Sequence, residues 1–167
     1  MLRTSRYIGL VILALACAGC YSFRGGSAPV GIRTIFIPPA EDVSGFGRGT
    51  VRQELTTLLT NRFRDDNTLR LGDASAADSR LEVTITGIRT EKLNLSGNEL
   101  ETVRGVVIDA RVTFNDNLKR RPVYKDRAFT GRAQYNINRG TAGENEAITD
   151  ALETVAEAIL LATVADW

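Results

Sequence analysis

Apolar and polar positions change period several times along the chain, and those changes outline its elements. Ile32 to Ile37 is β-branched and apolar and stops at Pro38-Pro39, two residues that cannot donate to a ladder, so a first strand is expected there. Glu41 to Thr50 reads as a loop. From Val51 the residues Val51, Leu55, Leu58, Leu59 and Phe63 recur on one helical face, which predicts a helix over Gly49 to Asp65, with Arg52, Gln53, Arg62 and Arg64 largely off the stripe and solvated. Asn67 to Ser79 supplies turn residues, with Leu69 and Leu71 as a short extension.

Strict alternation follows. Leu81, Val83 and Ile85 alternate with Glu82, Thr84 and Thr86, and Gly87 before Ile88 breaks the period, which predicts a bulge. Asn94 to Glu101 reads as a turn. Val106, Ile108, Ala110, Val112 and Phe114 alternate with Val107, Asp109, Arg111 and Thr113, and Asn115 to Pro122 closes a hairpin. On the last strand Phe129, Gly131, Ala133, Tyr135 and Ile137 share one face, opposite Asp126, Thr130, Arg132 and Gln134. Ile148, Ala151, Leu152, Val155, Ile159, Leu160 and Thr163 then mark a second helix over Glu144 to Trp167, whose acids gather in its first turns, at the positive end of the helix dipole. The order β-α-β-β-β-α implies an α+β two-layer sandwich, two helices packed on a four-stranded mixed sheet.

Ahead of this body the pattern is different. Arg3 and Arg6 precede an apolar run from Tyr7 to Ala16, which has signal-peptide proportions and is too short to cross a hydrocarbon core of about 30 Å. Ala18-Gly19-Cys20 resembles the end of a bacterial lipobox, with Cys17 where a Leu-like residue is usual. That resemblance implies a lipid anchor on Cys20, and Tyr21 in place of Asp implies delivery to the outer membrane. Several acyl chains together anchor stably where one is marginal. Ser22 to Gly31, rich in Gly, Ser and Pro, reads as a tether. The expected organisation is residues 1–19 signal peptide, 20–31 lipidated Cys and tether, and 32–167 one periplasm-facing domain.

Composition narrows the function classes. Of 167 residues 43% are hydrophobic and 25% charged, ordinary for a globular domain. Removing residues 1–19 leaves 19 basic against 20 acidic side chains, a balance that argues against a nucleic-acid binder. Histidine is absent and both cysteines, Cys17 and Cys20, precede the body, so Ser-His-Asp and Cys-His catalysis and the usual zinc sites are excluded from it.

Cys20-Tyr21-Ser22-Phe23-Arg24-Gly25, Ile35-Phe36-Ile37-Pro38-Pro39, the helix ending Arg62-Phe63-Arg64-Asp65-Asp66, the strand Leu81-Glu82-Val83-Thr84-Ile85, Val112-Thr113-Phe114, Phe129-Thr130-Gly131 and a closing helix before Trp167 resemble the lipopolysaccharide-assembly lipoprotein family, LptE. The resemblance implies a non-enzymatic role without cofactor: a lipoprotein that plugs the outer-membrane β-barrel LptD, helps it assemble, and engages lipopolysaccharide in transit. The other reading is a regulatory envelope lipoprotein that binds a periplasmic enzyme or secretion pore.

Candidate contacts for lipopolysaccharide phosphates are cationic. Lys119-Arg120-Arg121 at the hairpin tip presents three together, and arginine's fork suits phosphate oxygens; the plain alternative is a tip kept soluble by charge. Arg89 and Lys92 form a second set beyond the Gly87 bulge. Against it stands cross-strand pairing of the strand cations, Arg111, Arg127 and Arg132 included, with Glu82, Asp109 and Asp126. Ser44 to Thr50 is Gly-rich ahead of a helix but lacks both the Walker lysine and the dinucleotide fingerprint, so it reads as a loop. Asp65-Asp66 and Glu99-Glu101 sit at a helix end and a turn rather than in a pocket. Phe46 and Trp167 are expected at exposed places, as partner contacts or, for Trp167, as a cap on the core.

Overall fold

The computed structural model describes residues 29–92 and 102–165. Cys17, Cys20, the turn at 94–101 with Glu99 and Glu101, and Trp167 lie outside the described residues.

The first strand, β1 (Thr34–Phe36), runs parallel to both the start of β4 (Ser79–Lys92) and the two-residue β3 (Arg70–Leu71). β4, β5 (Val103–Asp116) and β6 (Arg121–Asn136) then form an antiparallel meander, which gives the order β3-β1-β4-β5-β6. The α+β class and the two helices on a mixed sheet are as the periodicity indicates. Two short strands are added. Leu71 lies in β3, beside β1, and β2 (Glu41–Asp42) pairs in parallel with Thr84 and Ile85 in what reads as a loop. Pro38 and Pro39 explain the interruption: β1 leaves the edge of β4 where the prolines offer no N–H, and the chain rejoins that edge just beyond them.

Helix α1 (Thr50–Asp66) crosses from β2 to β3 and α2 (Gly140–Val164) returns along β6. Their stripes, Leu55, Leu59 and Phe63 with Ala151, Leu152, Val155 and Ile159, close a hydrophobic core with Ile35, Leu81, Ile85, Ile108 and Phe114 of the sheet. The second helix starts earlier than its apolar stripe indicates. Asn136 caps a 3-10 turn (Ile137–Arg139) by accepting the Asn138 N–H, and α2 begins at Gly140, so its first turn holds no acid and the acids start at Glu144. The same turn pulls Ile137 off the strand face, leaving it 36% exposed. Arg62, off the stripe with a side chain 40% exposed, also reaches Glu153 at 3.7 Å and Glu157 at 3.1 Å and ties α1 to α2.

The bulge at Gly87 is present as a register shift between Ile85 and Gly87. A second, without glycine, sits in β6, where Val112 pairs with Arg127 but Phe114 pairs with Tyr124, so Lys125 and Asp126 together face Thr113. Asp126 takes φ 50 there, the left-handed region that Asp tolerates better than most residues.

Candidate functional site

Helices cover one face of the sheet, and the other carries the charges. Past the Gly87 bulge, Arg89 of β4, Val107 of β5 and Arg132 of β6 lie in one row of that open face. Val107, grouped by alternation with the polar positions, is 1% exposed between the two arginines. Its neighbours form one connected lattice. Arg89 pairs with the Asp109 carboxylate and, through Nε at 3.1 Å, with Glu91, whose other oxygen is 3.5 Å from Arg132. The Thr130 hydroxyl donates to Asp109 at 2.7 Å. That hydroxyl bond first, then Arg89, hold the Asp109 carboxyl below the usual carboxylate value against the opposing effect of burial. The bond to Asp109 in turn raises Arg89.

Cross-strand pairing therefore takes Arg89, though the partners differ in part from those the alternation indicates. Glu82 bonds Arg80 at 2.8 Å, Arg132 meets Glu91, and Arg111 donates to the backbone carbonyl of Asp126 at 3.3 Å. Arg127 lies on the helix side, 5.6 Å from the Tyr124 ring centre and 5.5 Å from that of Phe129. Lys92 stands in register with Arg104 and is likewise engaged. Glu91, which joins the lattice, escapes a search for cation clusters; its signal is its place two residues after Arg89 on the same strand face.

The hairpin tip is built differently. Asp116 is 3% exposed, and its carboxylate accepts the Lys119 N–H at 2.9 Å and lies 3.5 Å from the Lys119 ammonium. Asn117 fastens the turn to the segment just before β4, with its N–H on the Asp78 carbonyl at 2.8 Å and its side-chain amide on the Ala77 carbonyl at 2.9 Å. Arg120 closes the turn at φ 50. A fastened turn thus holds Lys119, Arg120 and Arg121 exposed beside Leu118, itself 60% exposed, and neither Arg120 nor Arg121 has an ion-pair partner among the described residues. The tip and the Arg89 lattice stand apart along β5, so the structure does not join the two candidate sets into one patch.

Of the remaining candidates, Phe46 is corrected: it packs half-buried against the core with the Arg48 guanidinium 5.6 Å from its ring centre. Asp65 and Asp66 are exposed at the end of α1. The Gly-rich segment is a loop shaped by Asp42 accepting the Ser44 N–H and Ser44 accepting the Phe46 N–H.

Residues 32–163 match the model of the LptE lipopolysaccharide-assembly family, almost the whole described body. The chain belongs to that family. Among curated proteins no sequence matches it significantly. Solved structures share its fold at low identity. Protein XCC0632 of Xanthomonas campestris is 12% identical with a TM-score of 0.61, over 83% of this chain and 90% of its own. The hypothetical protein CT253 of Chlamydia trachomatis is 10% identical with a TM-score of 0.57, over 78% and 95%. An uncharacterised lipoprotein B of Nitrosomonas europaea is 12% identical with a TM-score of 0.54, over 84% and 87%. Membership in the LptE family places the chain in lipopolysaccharide assembly, and these neighbours show the sandwich.

Proposed function

We propose that the protein is cleaved after residue 19, anchored by lipid on Cys20 to the periplasmic side of the outer membrane, and that residues 32–167 form one domain that plugs an LptD-like β-barrel and helps it assemble for insertion of lipopolysaccharide in the outer leaflet. The observation that carries this reading is the LptE family match over residues 32–163. The open face supports it. A barrel lumen is polar, and the open face offers it a polar surface on which Arg89, Glu91, Asp109 and Arg132 are mutually paired.

For lipopolysaccharide itself we propose Lys119, Arg120 and Arg121 as the first contacts, with Arg89 and Lys92 behind them. Arg120 and Arg121 are exposed with no ion-pair partner among the described residues, whereas Arg89 is bound to Asp109 and Glu91. The test of the main reading is a mild-detergent pull-down of the tagged native lipoprotein from outer membranes, with mass spectrometry of the eluate. A stoichiometric large β-barrel subunit is expected. Recovery of soluble periplasmic proteins without a barrel overturns the plug and favours a regulatory role.

A further inference from the structure

The point at which the chain enters the domain and the hairpin tip lie at the same end of the sandwich. Pro29 accepts the Ile32 N–H at 3.0 Å, and the next two N–H groups, Arg33 and Thr34, donate to the Asp78 carboxylate at 2.9 and 3.0 Å. The carbonyl of the same Asp78 accepts the Asn117 N–H of the tip at 2.8 Å. One residue thus joins the entry to the tip. From Cys20 to Pro29 the chain has nine residues to span, a reach of at most about 30 Å when fully extended. An anchor at Cys20 therefore keeps this end near the bilayer.

We infer that this end, with the tip residues Leu118 to Arg121 foremost, rests on the anionic phospholipid surface of the leaflet that holds the anchor. The inference depends on the Cys20 anchor proposed above. The chemistry of the end suits such a surface. Val30 and Leu118 are 92% and 60% exposed, and exposed Arg33 follows the first while Lys119, Arg120 and Arg121 follow the second along the chain. The two acids bonded to the entry and the tip are occupied: Asp78 holds the β1 N–H groups, and buried Asp116 pairs with Lys119. Asp73 is exposed one turn from the tip's contact with Ala77, and Asp65 and Asp66 are exposed at the end of α1 on the Arg33 side, so the cationic part of this end is the tip itself. Juxtamembrane cations gain from the negative potential of such a leaflet, and exposed apolar side chains gain from the headgroup boundary.

The test uses the full chain, processed and acylated in cells and reconstituted into phosphatidylethanolamine–phosphatidylglycerol vesicles. The mature body has no other cysteine after residue 20, so Leu118→Cys and, at the far end, Asn138→Cys each give one labelling site. A fluorophore at 118 is expected to be quenched by headgroup spin labels and one at 138 is not. Adding Lys119→Glu, Arg120→Glu and Arg121→Glu to the Leu118→Cys chain is expected to remove most of that quenching. Equal quenching at both sites, or quenching at 118 only when lipopolysaccharide is added, overturns the docking while the anchor stands. Protein that carries no acyl chain by mass spectrometry overturns the anchor and this inference with it.

Discussion

The α-carbon of Gly131 on β6 lies so close under the Ala151 carbonyl of α2 that a side chain's first carbon would overlap that oxygen and come within 2.7 Å of Val155 Cγ2. This contact sets how closely the second helix beds on the sheet, and Phe129 and Ala133 flank it on the same strand face.

Gly131→Ala is therefore expected to lower stability by about 1–3 kcal/mol, the range for forcing extra carbon into a packed interior. Urea unfolding of the chain followed by circular dichroism reads it directly. An unchanged midpoint would show that α2 slides away from β6 without cost.

Tyr124 reaches across the core's lower rim, its hydroxyl 3.0 Å from Thr163 Oγ1 near the end of α2. Thr163 also donates to the Ile159 carbonyl at 2.7 Å, so its hydroxyl keeps a partner when the tyrosine hydroxyl is removed. Tyr124→Phe should cost only about 0.5–1.5 kcal/mol. A larger loss in thermal unfolding would mean that the hydroxyl organises more than this helix end.

Asp78 ties β1 to the start of β4. The Arg33 N–H, more than any other group, holds its carboxyl below the ordinary value of 3.8, with burial opposing. A lowered folded-state value means that the clamp stabilises the protein above the unfolded value and is lost as pH falls through the folded one. Asp78→Ala should thus be less stable than the parent at pH 7, on the order of 1 kcal/mol, and the two should converge in acid below that ordinary value. Unfolding midpoints measured across the acid range check the sign; a gap that widens in acid would contradict it.

The two cationic sets should separate in a lipopolysaccharide-binding assay. Arg89→Gln breaks pairs with Asp109 and Glu91 that are half-exposed, and such pairs contribute about 0–1 kcal/mol. It should leave binding nearly intact. Lys119→Glu with Arg120→Glu and Arg121→Glu should weaken binding and flatten its salt dependence. Full binding by the triple variant would remove the tip from the candidate contacts.

Alternation along Leu81 to Ile85 and Val106 to Phe114, and the stripes of Val51 to Phe63 and Ile148 to Thr163, were enough to read the long strands, both helices and the α+β class from the sequence. Each element carries its own period because each buries one face, so a local pattern suffices. The sequence also marked Lys119, Arg120 and Arg121 as neighbours, since a tight turn keeps adjacent residues together. What it could not state is which distant groups meet. Arg89 finds Asp109, Glu91 finds Arg132, Asp78 finds Asn117 and Gly131 finds Ala151 only after sheet register and helix docking are set, and both are global outcomes. The short strands β2 and β3 belong to the same class: two residues carry no period, and their pairing is decided by the edges of β4 and β1 that the fold leaves open to them.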